Sequence, residues 1–333
     1  MPVVIEDVAQ ACRGSLERGV LMQIWRSSDV IGDIPWVTKK ALTVRGVRMQ
    51  ELPTPGFRVF NGAYDEGTGK LEQWDDGVFP FGHDFYIEKR YQGLDDMVED
   101  PEVTQSLATL KAAAMEFNFY FIAGTPALGG FTGLRPRIMA AEWPAACRIN
   151  LESAAGDSLK VFASAANTHA FLDGVHEAVD AIGGKVDAFY MNRNTRLLFS
   201  SALRRQGLLD TTKDVFDRQV LSFMGAPLRD VGVRADQATE IISSTETCGD
   251  DGTDGTSIYA VRYGTPNGDE SVKGGDGLHG LQMDTPQIYD PLNGGEMEAR
   301  PAYIRRLDWP VTITPMGDNY CAARLYGFSM TAT

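Results

Sequence analysis

The stretch ALTVRGVRMQELPTPGFRVFNGAYDEGTGKLEQWDDGVFPFGHDFYIEKRY (41–91), followed by DPEVTQSLATLKAAAMEFNFYFIAG (100–124), decides the fold. In the first segment ALTVRGVRMQ alternates apolar and polar residues, placing Leu42, Val44, Val47 and Met49 on one side. Gly46 breaks that alternation and predicts a bulge. Pro53, Pro55 and Gly56 bend the chain before FRVF, which reads as a further strand. The run NGAYDEGTGKLEQWDDG (61–77), rich in glycine and acid, reads as an exposed loop tip. A hairpin with so little apolar backing cannot fold alone and needs a surface to lie on.

The second segment carries clear helix punctuation. Asp100 suits an N-cap, Pro101 the first turn and Gly124 the stop. Val103, Leu107, Leu110, Ala114, Phe117 and Phe121 recur at alternating four- and three-residue steps and give one apolar stripe. About 22 helical residues span roughly 33 Å, the width of a domain.

Before the arm, residues 1–40 read as an N-terminal arm with one amphipathic helix. Val8, Ala11, Leu16, Val20 and Ile24 fall near helical spacing until Pro35 forbids continuation. Beyond the long helix the pattern is mixed. A helix over 168–182, with Phe171, Val175, Val179 and Ile182 inward, stops at Gly183-Gly184. The strand VDAFYMN and a helix NTRLLFSSALRRQG, capped by Asn192 or Asn194, follow. RQVLSF and APLRDVGV predict a strand pair around Gly225, and SIYAVRYG, GLHGLQM, DWPVTITP and CAARLYGF predict at least four more strands. Strands and helices interleave without βαβ spacing, so the class is α+β.

The chain has 333 residues, 43% of them hydrophobic, and a net charge of −14, which opposes sustained contact with a phosphate backbone. Its four cysteines form no CxxC pair and read as thiols of a reducing compartment. No membrane span is expected, and the acids in MPVVIEDVAQACRG argue against a signal peptide.

Motifs that carry chemistry fail one after another. GAYDEGTGK places Leu71 where a phosphate loop needs a hydroxyl after its lysine. CGDDGTDGTS places Val261 where a calcium loop beginning at Asp250 needs glutamate. His169 and His176 stand seven apart, too far for the usual metal-binding pair on a helix. No catalytic, cofactor-binding or metal-ligating residue is assigned. Scattered residues such as Asp230, His279 and Glu296 would have to build any enzyme site, and their spacing does not recommend them. The aromatic residues are more informative. Phe57, Arg58, Tyr64, Trp74, Phe79, Phe81, Phe85 and Tyr86 crowd the arm, and rings without a core of their own are expected to be covered by a neighbouring subunit. The alternative is that the arm folds back on its own domain.

The order of these segments resembles the major capsid protein of tailed bacteriophages, the Hong Kong 97-type fold also used by encapsulin shells. ELPTPGFRVFNGAYDEGTGK resembles the extended loop of one branch of that family, and 100–124 resembles its spine helix. GGFTGLRPRI resembles the turn after the spine, VDAFYMNRNTRLLFSSALRRQG the strand-helix unit leading to the axial domain, and DRQVLSFMGAPLRDVG its hairpin. DWPVTITPMGDNYCAARLYGF resembles the paired terminal strands. The resemblance implies an N-terminal arm (1–40), an extended loop (41–92), a peripheral domain with the spine helix (93–184), an axial domain (185–295) and terminal strands returning through both domains (296–333). It further implies a subunit that partners itself in pentamers and hexamers around double-stranded DNA, without a cofactor and without gripping the DNA. A separate scaffolding protein, a portal and decoration proteins are the implied partners, and the virion is the implied location. An encapsulin-like compartment is the alternative.

Overall fold

The computed structural model of the chain describes residues 19, 23–24, 27–51, 53–64, 66–91, 101–153, 156–207, 210–213, 219–248, 253–264, 277–297, 300–316 and 321–330. Val8, Ala11, Leu16, Val20 and the expected cap Asp100 lie outside them.

Two sheets and a hairpin organise the chain. In the first sheet the central strand is β15 (Ala302–Met316). It pairs antiparallel with β4 (Phe79–Glu88) on one side, and with β13 (Gly277–Gln282) and β14 (Gln287–Tyr289) on the other. The short strand β1 (Trp36–Thr38) adds parallel to β13. The second sheet has nine strands. Its core order is β5 (Arg148–Asn150), β16 (Ala322–Ser329), β12 (Thr253–Val261), β7 (Ala188–Met191), β10 (Ala226–Asp230), β9 (Gln219–Phe223) and β8 (Asp210–Lys213). Off that path, β6 (Leu159–Lys160) pairs with β16 and β11 (Glu246–Cys248) with β12. The hairpin is β2 (Thr43–Glu51) against β3 (Lys70–Gly77). The mixture of parallel and antiparallel pairs with the α-helices of the described residues is α+β, as the interleaved pattern predicts.

The helices are α1 (Asp29–Asp33), α2 (Pro101–Ala123), α3 (Leu134–Met139), α4 (Ala165–Ala181) and α5 (Arg193–Gln206). Local chemistry sets their ends. Ser164 caps α4 by accepting from the Asn167 N–H, and Asn192 caps α5 by accepting from the Thr195 N–H at 2.7 Å. Gly207 stops α5 in the left-handed region at φ 70°. The β9–β10 turn places Met224 and Gly225 at φ 53° and 82°, the twist that a two-residue hairpin turn requires.

The long helix α2 is the shared wall of the core. Phe117 lies 5.2 Å from Trp309, 5.8 Å from Trp36, 5.7 Å from Phe131 and 6.4 Å from Phe81, so one ring joins α2, β15, β1, the turn before α3 and β4. Phe121 packs edge-on against Tyr190 of the larger sheet at 5.5 Å. A second aromatic group joins α4, α5 and that sheet: Phe171 lies 5.3 Å from Phe199 and 5.0 Å from Phe328.

Expectations for several individual residues change. The apolar stripe of α2 is buried from Leu110 onward, whereas Val103 and Leu107 are exposed, because burial on this helix begins at Thr109. FRVF forms no strand, and 70–77, read as loop tip, is β3. Leu42 is exposed while Val44 is buried. Gly46 keeps regular register opposite Trp74, and the irregularity falls between Met49 and Glu51. A Cβ at Gly46 would stand 2.2 Å from the Trp74 ring, so the glycine makes room for the indole. The expected boundary at 184/185 falls between α4 and β7, both of which pack into the nine-stranded sheet, while β13 and β14 within 185–295 belong to the five-stranded one.

Candidate assembly surface

Strand β4 shows why part of the arm needs no neighbour. Its ten residues all pair with β15, from Ala302↔Glu88 to Val311↔Phe79. Phe81 stands 6.3 Å from Trp309 and 6.1 Å from Tyr120, Phe79 packs against the same core, and Phe85 is buried. The cover expected from another subunit is therefore supplied to Phe79, Phe81 and Phe85 by the chain itself. Tyr86, on the opposite face of the strand, is exposed beneath the Arg300 guanidinium at 4.3 Å from its ring centre.

The hairpin is fastened at its root and bare at its tip. Trp74 packs on a small group made by Val37, Val44 and Leu281. Asp76 accepts from Arg137 Nη2 at 2.7 Å and from Thr314 Oγ1 at 2.8 Å, and Arg137 also donates to the Ile313 carbonyl at 3.0 Å. Both charged groups of this pair are largely buried, so the geometry is held with little solvent screening. The loop 53–69 contains no helix or strand among its described residues. There Phe57 and Phe60 are 109% and 102% exposed, and Val59 and Tyr64 are also exposed. Arg58 bridges the loop internally, donating to the Gly62 carbonyl at 3.1 Å and lying 5.1 Å from the Tyr64 ring. Of the eight aromatic and arginine positions singled out, Phe57, Arg58, Tyr64 and Tyr86 are thus the ones turned to solvent.

Two concavities flank the arm. A groove of about 420 Å³ runs between β4 and α2, lined by Phe81, Ala108, Ala112, Ala113, His83 and Glu116. A cleft of about 310 Å³ lies under the hairpin root beside Trp74, Asp76, Arg137 and Glu142. The dispersed acids and histidine find separate structural uses. Asp230 accepts from the Gly232 N–H, His279 is buried in β13 beside the Gly277 carbonyl, and Glu296 pairs with Lys89 on the surface. Among the described residues no group of three or more His, Cys, Asp or Glu could hold a metal ion, and no helix is long and apolar enough to cross a membrane.

One polar network has no local trace in the sequence. Asp33, at the end of α1, accepts from Arg229 through both oxygens at 2.7 and 3.0 Å and from the Tyr190 hydroxyl at 3.0 Å. Tyr190 in turn contacts the Tyr263 hydroxyl at 2.6 Å. Burial raises both tyrosines well above their ordinary range. Burial also lifts the Asp33 carboxyl, while Arg229, which burial alone would lower, is raised by the attraction of Asp33. Nearby, Ser28 donates to Asn118 of α2, which donates to the Val231 carbonyl. The segment 27–38 therefore joins both sheets and the long helix.

No family model and no curated relative matches the sequence. Solved structures do match. A chain of the native GTA particle capsid aligns over 88% of this chain and 87% of its own, at TM-score 0.55 and 17% identity. A Mycobacterium phage Cain chain aligns over 99% and 98% at TM-score 0.54 and 12% identity. The chain has the fold of a phage capsid subunit. A chain of the holo-SrpI encapsulin complex from Synechococcus elongatus PCC 7942 shares that fold, over 90% of this chain and 86% of its own, at TM-score 0.58 and 11% identity. The likeness extends over nearly the whole chain.

Proposed function

We propose that the chain is the major capsid protein of a tailed phage, a subunit that assembles with copies of itself as pentamers and hexamers into an icosahedral shell around double-stranded DNA. The observation that carries this reading is the pairing of a capsid fold with a hairpin arm that is rigid at its root and exposes Phe57, Phe60 and Tyr64 at its tip. Rings left in water on a fastened arm gain most by meeting another surface, and the same fold in GTA and mycobacteriophage particles supports a copy of the chain as that surface. Here the five-stranded sheet with α2 is the peripheral part of the shell subunit, and the nine-stranded sheet with α4 and α5 the axial part. Scaffolding, portal and decoration proteins are the outside partners, and the virion is the location.

The encapsulin likeness favours a second reading, a bacterial compartment shell. Negative-stain electron microscopy with light scattering on the same sample tests both. Closed shells or five- and six-membered rings are expected. Nuclease-protected DNA inside shells made in the presence of phage partners supports the phage reading, and a protein cargo with no DNA supports the compartment. A monomer that persists with crowding agent and scaffolding protein refutes both.

A further inference from the structure

The two helices on the nine-stranded sheet divide charge between them. α5 carries Arg193, Arg196, Arg204 and Arg205 and not one acid, in a chain whose net charge is −14. Arg193, Leu197 and Arg204 recur at steps of four and seven and so share one ridge, with Arg196 on its flank. The opposite face, Thr195, Phe199, Ala202 and Leu203, is buried. On the ridge Leu197 is 66% exposed, and its flanking arginines make no ion pair with a described residue. α4 is the reverse. It carries Asp173, Glu177 and Asp180, all exposed, and no lysine or arginine. The helices lie side by side, as the Phe171–Phe199 contact shows, with α4 over β16 and β5 and α5 over β10.

Resting on the shell reading above, we propose that the arginine ridge of α5 is a contact between subunits, and that its occupant is the acidic outer face of α4 from a second copy. Arginines around an exposed leucine make the composition of a protein interface, a charged rim about an apolar anchor. A phosphate backbone would have no use for the leucine. Within one copy the acidic face of α4 does not meet the ridge, because both outward faces point away from the sheet they share. A second copy offers the complementary charge, since Asp173, Glu177 and Asp180, at steps of four and three, share one face of α4.

Charge reversal tests this on the full chain. Arg193→Glu/Arg196→Glu/Arg204→Glu should melt as the wild type does, yet need a concentration on the order of ten-fold or more higher to form rings or shells. Asp173→Lys/Glu177→Lys/Asp180→Lys should show the same defect, and mixing the two variants should restore six-membered rings, around which the two can alternate. Wild-type assembly should weaken with added salt. Assembly of the arginine variant at wild-type concentration overturns the proposal while leaving the shell reading intact. So does loss that the mixture does not repair, or shells that form normally but enclose less DNA. If the wild type run in parallel never assembles, the shell reading falls and this contact falls with it.

Discussion

Replacing Phe57 and Phe60 together by serine separates folding from assembly. In the subunit both rings are fully exposed, so their loss should change its stability by no more than about 0.5 kcal/mol. If a neighbouring copy covers them, each ring contributes about 2 kcal/mol to that contact. The pair then contributes about 4 kcal/mol, which weakens association on the order of a thousand-fold. The assay is a thermal melt of the unassembled subunit beside a light-scattering measurement of the concentration at which rings or shells appear. An unchanged melt with assembly lost at accessible concentrations is expected. Normal assembly of the variant would refute the contact, and a markedly lower melting temperature would show that the rings belong to the subunit's own core.

Phe117→Ala should destabilise the subunit by about 3–5 kcal/mol, read from urea unfolding, because it removes the ring on which four other aromatic side chains converge. Arg229→Met should cost about 3–5 kcal/mol by leaving Asp33 buried without its cation, and limited proteolysis should then release the segment before β1. Acid should destabilise the fold as pH falls from about 4 to about 2. The hydrogen bonds of the Thr239 hydroxyl, the Thr239 N–H and the Ala238 N–H hold Asp236 down to about 2, from an ordinary 3.8. The Arg306 side chain lowers Asp84, and Asp290, against its burial, is lowered by the Leu292 and Gly294 N–H groups and Arg305. Carboxylates lowered in the folded state stabilise it above their unfolded values and lose that contribution on protonation, so Asp84→Asn/Asp236→Asn should show a shallower decline in urea midpoint over this range. Cys147 and Cys321, whose burial pushes their thiols up to about 11 and about 12, should resist alkylation at pH 8 until urea is added, as peptide mapping would report.

Helix ends are the features written locally in the sequence. Asn192, Gly183-Gly184 and Gly207 act within a few residues of where they stand, and the ends of α4 and α5 follow from them, whereas the Ser164 cap, ahead of the expected start of α4 at 168, went unassigned. The aromatic run of β4 shows a missed signal. Phe79, Phe81, Phe85 and Ile87 recur on one face, interrupted only by the exposed His83, the mark of a strand with a core of its own on one side. The glycine-rich neighbourhood on its N-terminal side and the break at Gly82-His83 mask that period. The Asp33–Arg229 pair, by contrast, spans 196 positions and joins residue types that are ordinary on any surface, so nothing nearby could announce it. The tip was only partly legible: the described residues of 61–69 are loop as expected, whereas FRVF, expected as a strand, joins no ladder, with proline and glycine flanking it.

The run from β3 into β4 has a mechanical consequence. Only Val78 separates the two strands, so tension applied at the tip passes straight along the backbone into the ten-residue ladder with β15. Ladder hydrogen bonds stand perpendicular to the strands, and a pull along β4 loads them in shear, all together, instead of peeling them one at a time. An arm that gives way last at its root can carry load between bodies, in the manner of a tie rod.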